Sequence, residues 1–529
     1  MKNIKIIFGI AGLLTLLSCS KDLLDKTPYD KIVIGNFYQT PEEVYQAVIA
    51  AYDVLQYDDF NNFHMLSEIA SDNCTGGGGS SDPTNVVNID AFEPYVDVNA
   101  EPWQKYWQGI YRANLVIEHI DDATWDDQDD RNRILAEAHF LRAYFYFDLV
   151  RLFGYVPMVD KVLSPEEAFL PQEEPEEIYS LIADDLIHAI ANLPDAGYRS
   201  IPTNEYGRAT KWAAEALMCR VFLYYTGYYN QTDLAGKVSI SDARTYIDDV
   251  INNSGHGLLD DYTYLWQYSF DDFAGEDNKE TVFAIKFTYK GQGDWELYDG
   301  NRWQVMVSLR NQVIPPYANG WGVATVNTNL WEAYDTADTR RSGSIISWDY
   351  EGIEYSIGDQ RQYTGYHWRK YVALTESPES ETLQTANYSG DYQIDNFFDD
   401  VVIRFADVLL MGAELHLQDN LTLAQEHYDE VRDRAFQDET HRITLTNDEA
   451  GKQLIFEERR LELALEGQRY WDLLRYDGLA GNLNYAKTAI DASQPYPVTF
   501  RTITEGLFQI PETQIDRSNG TLLQNPGWD

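Results

Sequence analysis

The sequence predicts a mainly α-helical protein, in which tetratricopeptide-like helical hairpins form a scaffold and a loop-rich insertion with short strands interrupts it. Apolar residues recur at spacings of three and four through residues 40–252 and again from Val401 onward. Between these two parts, aromatic residues, glycine, asparagine and aspartate alternate with short β-favouring pieces. Because no linker rich in proline or serine divides the chain, we expect one integrated body.

The helices of the first half begin with a clear start signal. Thr40 is a good N-cap residue, Pro41 suits the first helical position, and Glu43 completes a capping box. Helix pairs with short connections favour tetratricopeptide-like hairpins. The segment from 132 to 153 is apolar nearly all round and should be central. Further helical patterns cover the ranges 103–117, 176–192, 208–226 and 242–252.

The insertion and the segments after it complete the order of elements. Glu280 to Phe287 reads as a strand, and the long loops around it are the kind that carries function on a helical scaffold. The chain returns to helix at Val401. Helical patterns there cover 403–418, 421–436 and 447–476.

The N-terminus has the features of a bacterial lipoprotein signal. Lys2 and Lys5 precede an apolar run that ends at Leu17, and Ser18 and Cys19 follow it. A run of about 12 apolar residues is too short for a membrane span, which needs about 20. We expect lipidation of Cys19 after cleavage; the alternative is an ordinary signal peptide with a stray cysteine. Of the other cysteines, Cys219 fits a buried helical stripe, and a disulfide with Cys74 stays open.

The chain therefore divides into four predicted parts. These are a lipoprotein signal peptide at 1–18, an N-terminal helical region at 19–260, the insertion at 261–398, and a C-terminal helical region at 399–529 that is integrated with the first.

The charge balance narrows the class of partners. The chain has 40 Lys and Arg against 86 Asp and Glu, a net charge of −46. Such a surface repels nucleic acid and anionic lipid, so we expect no nucleic-acid partner. It also argues against strongly anionic glycans, although a local basic patch would still bind one. Solubility at a crowded surface is the main role we assign to this charge.

Charged residues also occur inside apolar helical faces between Val401 and Tyr476. They cannot all reach water while the leucines and tryptophan beside them are buried, so some of them must pair inside the packing. We expect these residues to fix how the C-terminal helices cross and to have no catalytic role. The predicted structural network consists of Arg404, Glu458, Arg460, Glu466, Arg469 and Asp472.

Catalytic and metal motifs do not appear in the sequence. It has no nucleophile elbow, phosphate loop, zincin motif or dinucleotide-binding glycine pattern, and its histidines do not cluster at metal spacing. We expect no enzymatic activity, no cofactor and no metal site. Calcium is a minor alternative at Asp126 to Asp130 and in the acidic loop 260–277, although neither has EF-hand spacing.

Several longer motifs, in order and at similar spacing, resemble the SusD/RagB family of surface glycan-binding lipoproteins of Bacteroidota. The C-terminal motifs are IRFADVLLMGAE, VRDRA, FEERRLELALEGQRYWDLLRY and LFQIPETQI followed by LLQNPGW. The N-terminal ones are AEAHFLRAYFYFDLVRLFGYVPMV and GRATKWAAEALMCRVFLY. The resemblance implies a SusD-like fold on the outer membrane, facing the cell exterior. It also implies capture of an oligosaccharide for a SusC-like TonB-dependent transporter.

The resemblance further implies a glycan site built from residues 60–104 and 290–325. An aromatic ring stacks on the C–H face of a sugar, while polar side chains beside it bind hydroxyls. The candidates are Asp72, Asn73, Tyr95, Trp295, Trp303 and Trp321. Asp72 has an alternative role as a brace within the loop, and any single ring has the alternative of packing the loops together. We expect Gly76 to Gly79 to be a flexible loop beside the site.

Two other functions stay open. Some members of this family serve peptide uptake, as RagB-like proteins do, and a peptide would use backbone hydrogen bonds more than ring stacking. The loop aromatics favour sugar. A surface glycosidase is a third hypothesis from a different class, but carboxylates are too abundant to single out a catalytic pair.

Overall fold

Consecutive helices packed side by side make up most of the computed structural model, which describes residues 37–57, 63–94, 99–266, 276–288, 294–295, 297, 299–374 and 391–528. The mainly α, tetratricopeptide-like fold class is confirmed. The helices of the first half are α1 Pro41–Asp53, α2 Phe63–Ile69, α3 Asn85–Asp90, α4 Ala100–His119, α5 Gln128–Phe153, α6 Pro175–Asn192, α7 Lys211–Tyr228 and α8 Ile240–Asn253.

Local sequence signals account for the ends of these helices. The Thr40 side chain accepts a hydrogen bond from the Glu43 N–H, and the Glu43 carboxylate accepts one from the Thr40 N–H at 3.0 Å, so the predicted capping box is confirmed. Helix α5 is buried on nearly every side, as its apolar pattern predicts, and packs between α4 and α6. It ends at Gly154, whose φ of +64° few other residues adopt.

The insertion folds into short helices and two-stranded pairs. Its helices are α9 Trp303–Val307, α10 Thr328–Ala333, α11 Thr339–Ser344 and α12 Trp348–Glu351. The strands of the described chain are β1 Cys74–Gly77, β2 Asp233–Leu234, β3 Val238–Ser239, β4 Thr281–Ile285, β5 Leu309–Arg310, β6 Asn319–Gly320, β7 Val323–Val326, β8 Ile345–Ser347, β9 Tyr366–Trp368 and β10 Asp400–Arg404. Antiparallel pairs form between β1 and β7, β4 and β10, β8 and β9, and β2 and β3, whereas β5 and β6 are parallel.

The C-terminal helices pack back onto the first half. They are α13 Phe405–His416, α14 Leu421–Phe436, α15 Glu449–Glu462, α16 Arg469–Asp477, α17 Asn484–Asp491 and α18 Glu512–Arg517. Helix α13 packs on α8 and α14, and α16 packs on α7. The main hydrophobic cluster runs from Tyr38 to Leu522 and includes residues of all three predicted structural regions. The exact boundaries of those regions stay predictions.

Two predicted helical segments are wrong in detail. Residues 400–404 form strand β10, so helix begins only at Phe405. The predicted helix 447–476 is broken between α15 and α16, where Leu465 and Gly467 have φ values of +65° and +70°. The break exposes backbone groups to new partners, since the Gly467 N–H donates to Glu68 at 2.9 Å.

Candidate functional site

A cleft lies where the two segments implied by the family resemblance come together. Strand β1 of the first segment pairs with β7 of the second, in a register that sets Thr75 opposite Thr325 and Gly77 opposite Val323. The cleft has a volume of about 300 Å³. We call it the Trp321 cleft; it is lined by Gly78, Asp82, Pro83, Asn85, Val86, Met306, Arg310, Trp321 and Val323.

The glycines at residues 77–79 allow the backbone beside the cleft to lie close to Gly322 and to the Arg310 side chain. Gly77 has a φ of +67°, and a Cβ atom there would lie 2.6 Å from the Gly322 carbonyl oxygen. A Cβ on Gly79 would lie 1.8 Å from a guanidinium nitrogen of Arg310. The Gly78 N–H donates to the Gly322 carbonyl at 2.7 Å. The expectation of a flexible loop is therefore corrected, because this run is part strand and part tightly bonded turn.

Arg310 joins the two sides of the cleft. Its guanidinium donates to both oxygens of Asp82, at 2.8 and 3.2 Å, and to both oxygens of Asp359, at 2.9 and 3.3 Å. It also donates to the carbonyl oxygen of Trp321 at 3.4 Å. The hydrogen bonds from Arg310 lower the pKa of the exposed Asp359 carboxyl. Asp82 in turn accepts from the Gly79 N–H at 2.7 Å, so one cation holds the glycine turn in place.

A buried carboxyl supports the turn from behind. Asp90 accepts hydrogen bonds from the Thr75 hydroxyl at 2.6 Å, the Gly76 N–H at 3.2 Å and the Gln362 amide at 3.0 Å. Burial raises the pKa of Asp90 to about 6, although these hydrogen bonds oppose the rise. Gln362 also accepts from the Gly77 N–H at 2.9 Å. Strand β1 is thus bonded to the 360–362 loop as well as to β7.

The predicted tryptophans have different environments. Trp321 is half-buried and lines the cleft, with its backbone N–H bonded to the Val305 carbonyl at 2.9 Å. Trp295 is 41% exposed, and the Arg302 guanidinium lies 5.7 Å from its ring centroid. It is not among the described residues that line the cleft. Tyr95 lies outside the described residues.

Trp303 is corrected from a platform to a core residue. Its ring is fully buried, stacked on His64 at 4.8 Å and packed on Tyr371 at 4.3 Å between centroids. A ring with no exposed face cannot stack on a sugar. It instead holds helix α9 of the insertion against helix α2 of the first half.

Asp72 and Asn73 are also buried, which corrects their prediction as partners for sugar hydroxyls. Asp72 accepts from Arg469 at 2.7 Å and pairs with Arg460 at 3.0 Å. Burial alone would raise the pKa of Asp72, but the two guanidinium groups hold it at about 2. The Asn73 amide donates to Glu68 at 3.0 Å and accepts from Arg460 at 3.1 Å. These residues brace the loop against the C-terminal helices.

The charged residues predicted as a structural network lie in the interior. Arg404 donates to Glu466 at 2.7 and 2.9 Å and to Glu280 at 2.9 Å, and it also contacts Glu462. Arg432 pairs with Glu458, and Asp472 accepts from Arg459 at 2.9 Å and from Arg475 at 2.8 Å. All of these side chains are nearly or fully buried.

Sequence reasoning missed several members of this network. Some of them, such as Arg432, Arg459 and Glu462, lie on the C-terminal helices, and others come from the insertion. Arg340 lies 2.7 Å from Glu458 and 3.0 Å from Glu462, and its side chain is fully buried. Lys370 donates to Glu466 at 2.5 Å. Burial lowers the pKa of Lys370 to about 8, and Glu466 opposes that fall. Neither residue belongs to a periodic segment, so spacing gave no signal for either.

One acidic group among the described residues has the geometry for a cation. It consists of Glu276, Asp277 and Asp399, and Lys286 fills it with an ammonium group 2.8 Å from Asp277. Burial, with a further contribution from Asp399, raises the pKa of Glu276 to about 8. The loop before it lies partly outside the described residues, and the expectation for calcium stays a prediction. In the other acidic stretch, Asp127 caps helix α5.

Both described cysteines are buried free thiols, so Cys74 and Cys219 form no disulfide. Cys19 and the predicted signal peptide lie outside the described residues. No helix of the described chain combines the length and the apolar character that a membrane span requires.

The helical scaffold, the two-part cleft and the buried arginine network define a SusD-like protein. Two family models match the chain: the SusD family over residues 353–528, and a family described as starch-binding and associating with the outer membrane over residues 22–223. The chain belongs to the SusD/RagB family.

Relatives match along nearly the whole chain. A SusD-like protein of Bacteroides ovatus is 25% identical over 492 residues, which are 90% of this chain and 83% of the relative. SusD-like protein P2 of Formosa agariphila is 26% identical over 542 residues, with both chains fully covered.

Solved structures are similar to the whole fold. A laminarin-binding SusD-like protein is 28% identical, with a TM-score of 0.77 and coverage of 93% of this chain and 100% of the other. Surface glycan-binding protein A from Bacteroides thetaiotaomicron, in complex with laminarihexaose, is 24% identical, with a TM-score of 0.76 and coverage of 92% and 100%. At that identity the second likeness concerns the fold alone.

Proposed function

We propose that this protein binds a glycan in the Trp321 cleft at the cell surface and delivers it to a SusC-like TonB-dependent transporter. The observation that carries the proposal is a half-buried tryptophan set in an open cleft, beside polar side chains held in fixed positions. The similarity to a laminarin-binding SusD-like protein supports a glycan as the ligand.

The cleft suits reversible binding of sugar. One ring stacked on a sugar gives about 0.5–1.5 kcal/mol beyond the area that it buries. Met306 and Val323 add an apolar floor, while Asp82 and Asn85 lie where sugar hydroxyls would reach them. A site built on one ring and a few hydrogen bonds gives modest affinity. Modest affinity fits a protein that passes its ligand on.

The N-terminal sequence and the family support a proposal for membrane attachment. We propose that a lipid on Cys19 anchors the protein to the outer membrane with the cleft facing the cell exterior. The lysines, apolar run and Ser18-Cys19 pair support the anchor. The matching family described as associating with the outer membrane supports the location.

Binding without bond cleavage is part of this proposal. A glycosidase requires one carboxyl that stays protonated to act as general acid and a second carboxylate across the sugar. Asp82 lines the cleft and Asp359 lies beside it, and both are ion-paired with Arg310. Arg310 lowers the pKa of Asp359, which opposes a role as general acid.

The substitution Trp321→Ala tests the site. Because the ring supplies the main apolar contact, we expect about a tenfold loss of affinity for any polysaccharide that binds the wild-type protein. Affinity electrophoresis and calorimetry measure this loss. Tyr264→Ala is the matched control, since Tyr264 is 50% exposed and does not line the cleft. Both variants should keep the wild-type melting temperature within a few degrees.

A polysaccharide panel tests the function itself. The wild-type protein should be retarded by at least one polysaccharide and release no reducing ends from it. If the Trp321→Ala variant is retarded as strongly as the wild-type protein, the glycan does not bind in the Trp321 cleft. If reducing ends are released, the protein is a hydrolase and not only a binding protein.

A further inference from the structure

We infer that the Trp321 cleft selects uncharged polysaccharides and rejects those that carry uronate or sulfate groups, because its arginine is already saturated by carboxylates of this chain. The inference rests on the proposed function and adds a substrate class to the same site. A negative overall charge does not by itself prevent a local basic patch from binding an anionic glycan. The environment of Arg310 decides whether the cleft has such a patch.

The hydrogen-bond donors of Arg310 are all in use. A guanidinium has five N–H donors. Nε donates to Asp359, the two Nη1 hydrogens serve Asp82 and the Trp321 carbonyl, and the two Nη2 hydrogens serve Asp82 and Asp359. Arg310 is the only Lys or Arg among the described residues that line the cleft. A sugar carboxylate or sulfate there would find no cationic donor without breaking an existing pair.

The neighbouring cation is occupied as well. Arg361 donates through Nη2 to the backbone carbonyls of Ser80 and Asp82, at 3.4 and 3.0 Å, and through Nη1 to that of Pro83 at 3.4 Å. These bonds hold the far side of the glycine turn. They direct the guanidinium at the backbone beneath the cleft.

The arrangement of the charged groups then opposes an anionic ligand. Two carboxylates flank the Arg310 guanidinium, so these three side chains carry one net negative charge, while the positive charge of Arg361 lies against backbone carbonyls of the turn. The Asp82 and Asp359 side chains are 35% and 40% exposed, whereas the Arg310 side chain is 9% exposed, so an incoming ligand meets carboxylate oxygens first. Charges within about 8–10 Å of one another are only partly screened at physiological salt.

The same oxygens suit a neutral sugar. An ionised carboxylate has about four acceptor positions. Asp359 uses two of them for Arg310 and also interacts with the Asn311 side chain, and Asp82 uses three for Arg310 and the Gly79 N–H. The remaining positions accept hydrogen bonds from sugar hydroxyls without any change in the ion pairs. A neutral, hydroxyl-rich chain therefore matches what the rim offers.

The test compares two classes of polysaccharide on the wild-type protein. The neutral class is laminarin, starch, xylan and galactomannan, and the anionic class is polygalacturonate, alginate and carrageenan. We expect retardation in affinity gels by at least one neutral polymer and by none of the anionic ones. Retardation by an anionic polymer that Trp321→Ala abolishes would overturn the inference while leaving glycan binding intact.

The substitution Asp359→Ala tests the cause. It frees the Nε and Nη2 edge of Arg310, which is the edge that binds a carboxylate with two parallel hydrogen bonds. We expect at least a tenfold gain in affinity for polygalacturonate and a few-fold loss for the neutral ligand, whose hydroxyls lose the acceptor oxygens of Asp359. Asp349→Ala is the control, because it removes the same charge from an exposed position on helix α12 and leaves the ion pairs of Arg310 in place.

The outcomes separate the two proposals. If Asp359→Ala gains no more than Asp349→Ala, saturation of Arg310 does not set the selection and the inference fails, whereas the proposed function stands on the neutral ligand. If neither class of polysaccharide retards the wild-type protein, the proposed function fails and the inference falls with it.

Discussion

Arginine surrounded by carboxylates occurs in two regions of this molecule with opposite surroundings. Arg404 has a side chain that is 1% exposed, and its partners Glu280, Glu462 and Glu466 are equally buried. Arg310 at the cleft pairs with carboxylates that are more than one-third exposed. In the interior, loss of one partner leaves charges that water cannot reach, while at the rim water replaces a lost partner. The same ion-pair chemistry therefore holds the fold in one place and shapes a binding surface in the other.

The largest expected effect comes from the interior. Arg404→Met would leave three buried carboxylates without their shared cation, and we expect a loss of about 3–5 kcal/mol in the free energy of unfolding. Denaturant unfolding followed by tryptophan fluorescence measures it. The control is Arg442→Met, because Arg442 makes its ion pair with Asp433 at the exposed surface. A loss as small as that of the control would mean that Arg340 and Arg434 suffice to neutralise the group.

A smaller effect is expected from Glu68, a buried carboxyl that has hydrogen bonds but no ion pair with an arginine among the described residues. Burial raises the pKa of Glu68 to about 7, against the hydrogen bonds from Asn73 and Gly467. A carboxyl with a raised folded-state pKa stabilises the fold fully below its unfolded value near 4.5, and loses that contribution as the pH rises to about 7. The contribution is about 3 kcal/mol.

Glu68→Gln isolates this contribution. Unfolding free energies measured from pH 4.5 to pH 8 should fall with rising pH in the wild-type protein, and should fall less steeply in the variant. The slope is the test, because glutamine also loses one of the two acceptor oxygens and lowers stability at every pH. Equal slopes would contradict the raised pKa.

The smallest effect on stability is expected at the cleft. Arg310→Met should cost about 1 kcal/mol or less, since its carboxylate partners are solvated. Glycan affinity should nevertheless fall several-fold, because Asp82, which accepts from the Gly79 N–H, loses the guanidinium that holds it in place. Thermal unfolding and calorimetry measure the two quantities on one sample. A stability loss as large as that of Arg404→Met would end the distinction between the two regions.

Local signals in the sequence predicted local structure well. The capping box at Thr40 and the all-round apolar pattern of helix α5 depend on residues close in the chain, and both are confirmed. The break at Leu465 was missed because its cause lies elsewhere: Glu68 and Lys370 bind the backbone of the turn. Strand β10 was missed because its partner, β4, comes more than a hundred residues earlier.

The candidate site shows the same limit. The family resemblance implied the two segments that meet at the cleft, and Trp321 is at their junction. Composition did not distinguish Trp321 from Trp303, because exposure depends on whether His64 and Tyr371 reach the ring. The role of Arg310 depends on Asp82 and Asp359, which are remote in sequence. Partners of this kind follow from tertiary contacts that no spacing rule contains.

The pairing of β1 with β7 has a consequence for how the protein matures. Thr75 and Thr325 are joined across some 250 intervening residues, and closing so long a loop is entropically costly and slow. The helical hairpins of the first half depend on contacts close in the chain, but the cleft cannot form until β7 of the insertion is present. A truncated or newly exported chain would then be folded in part before it is able to recognise anything.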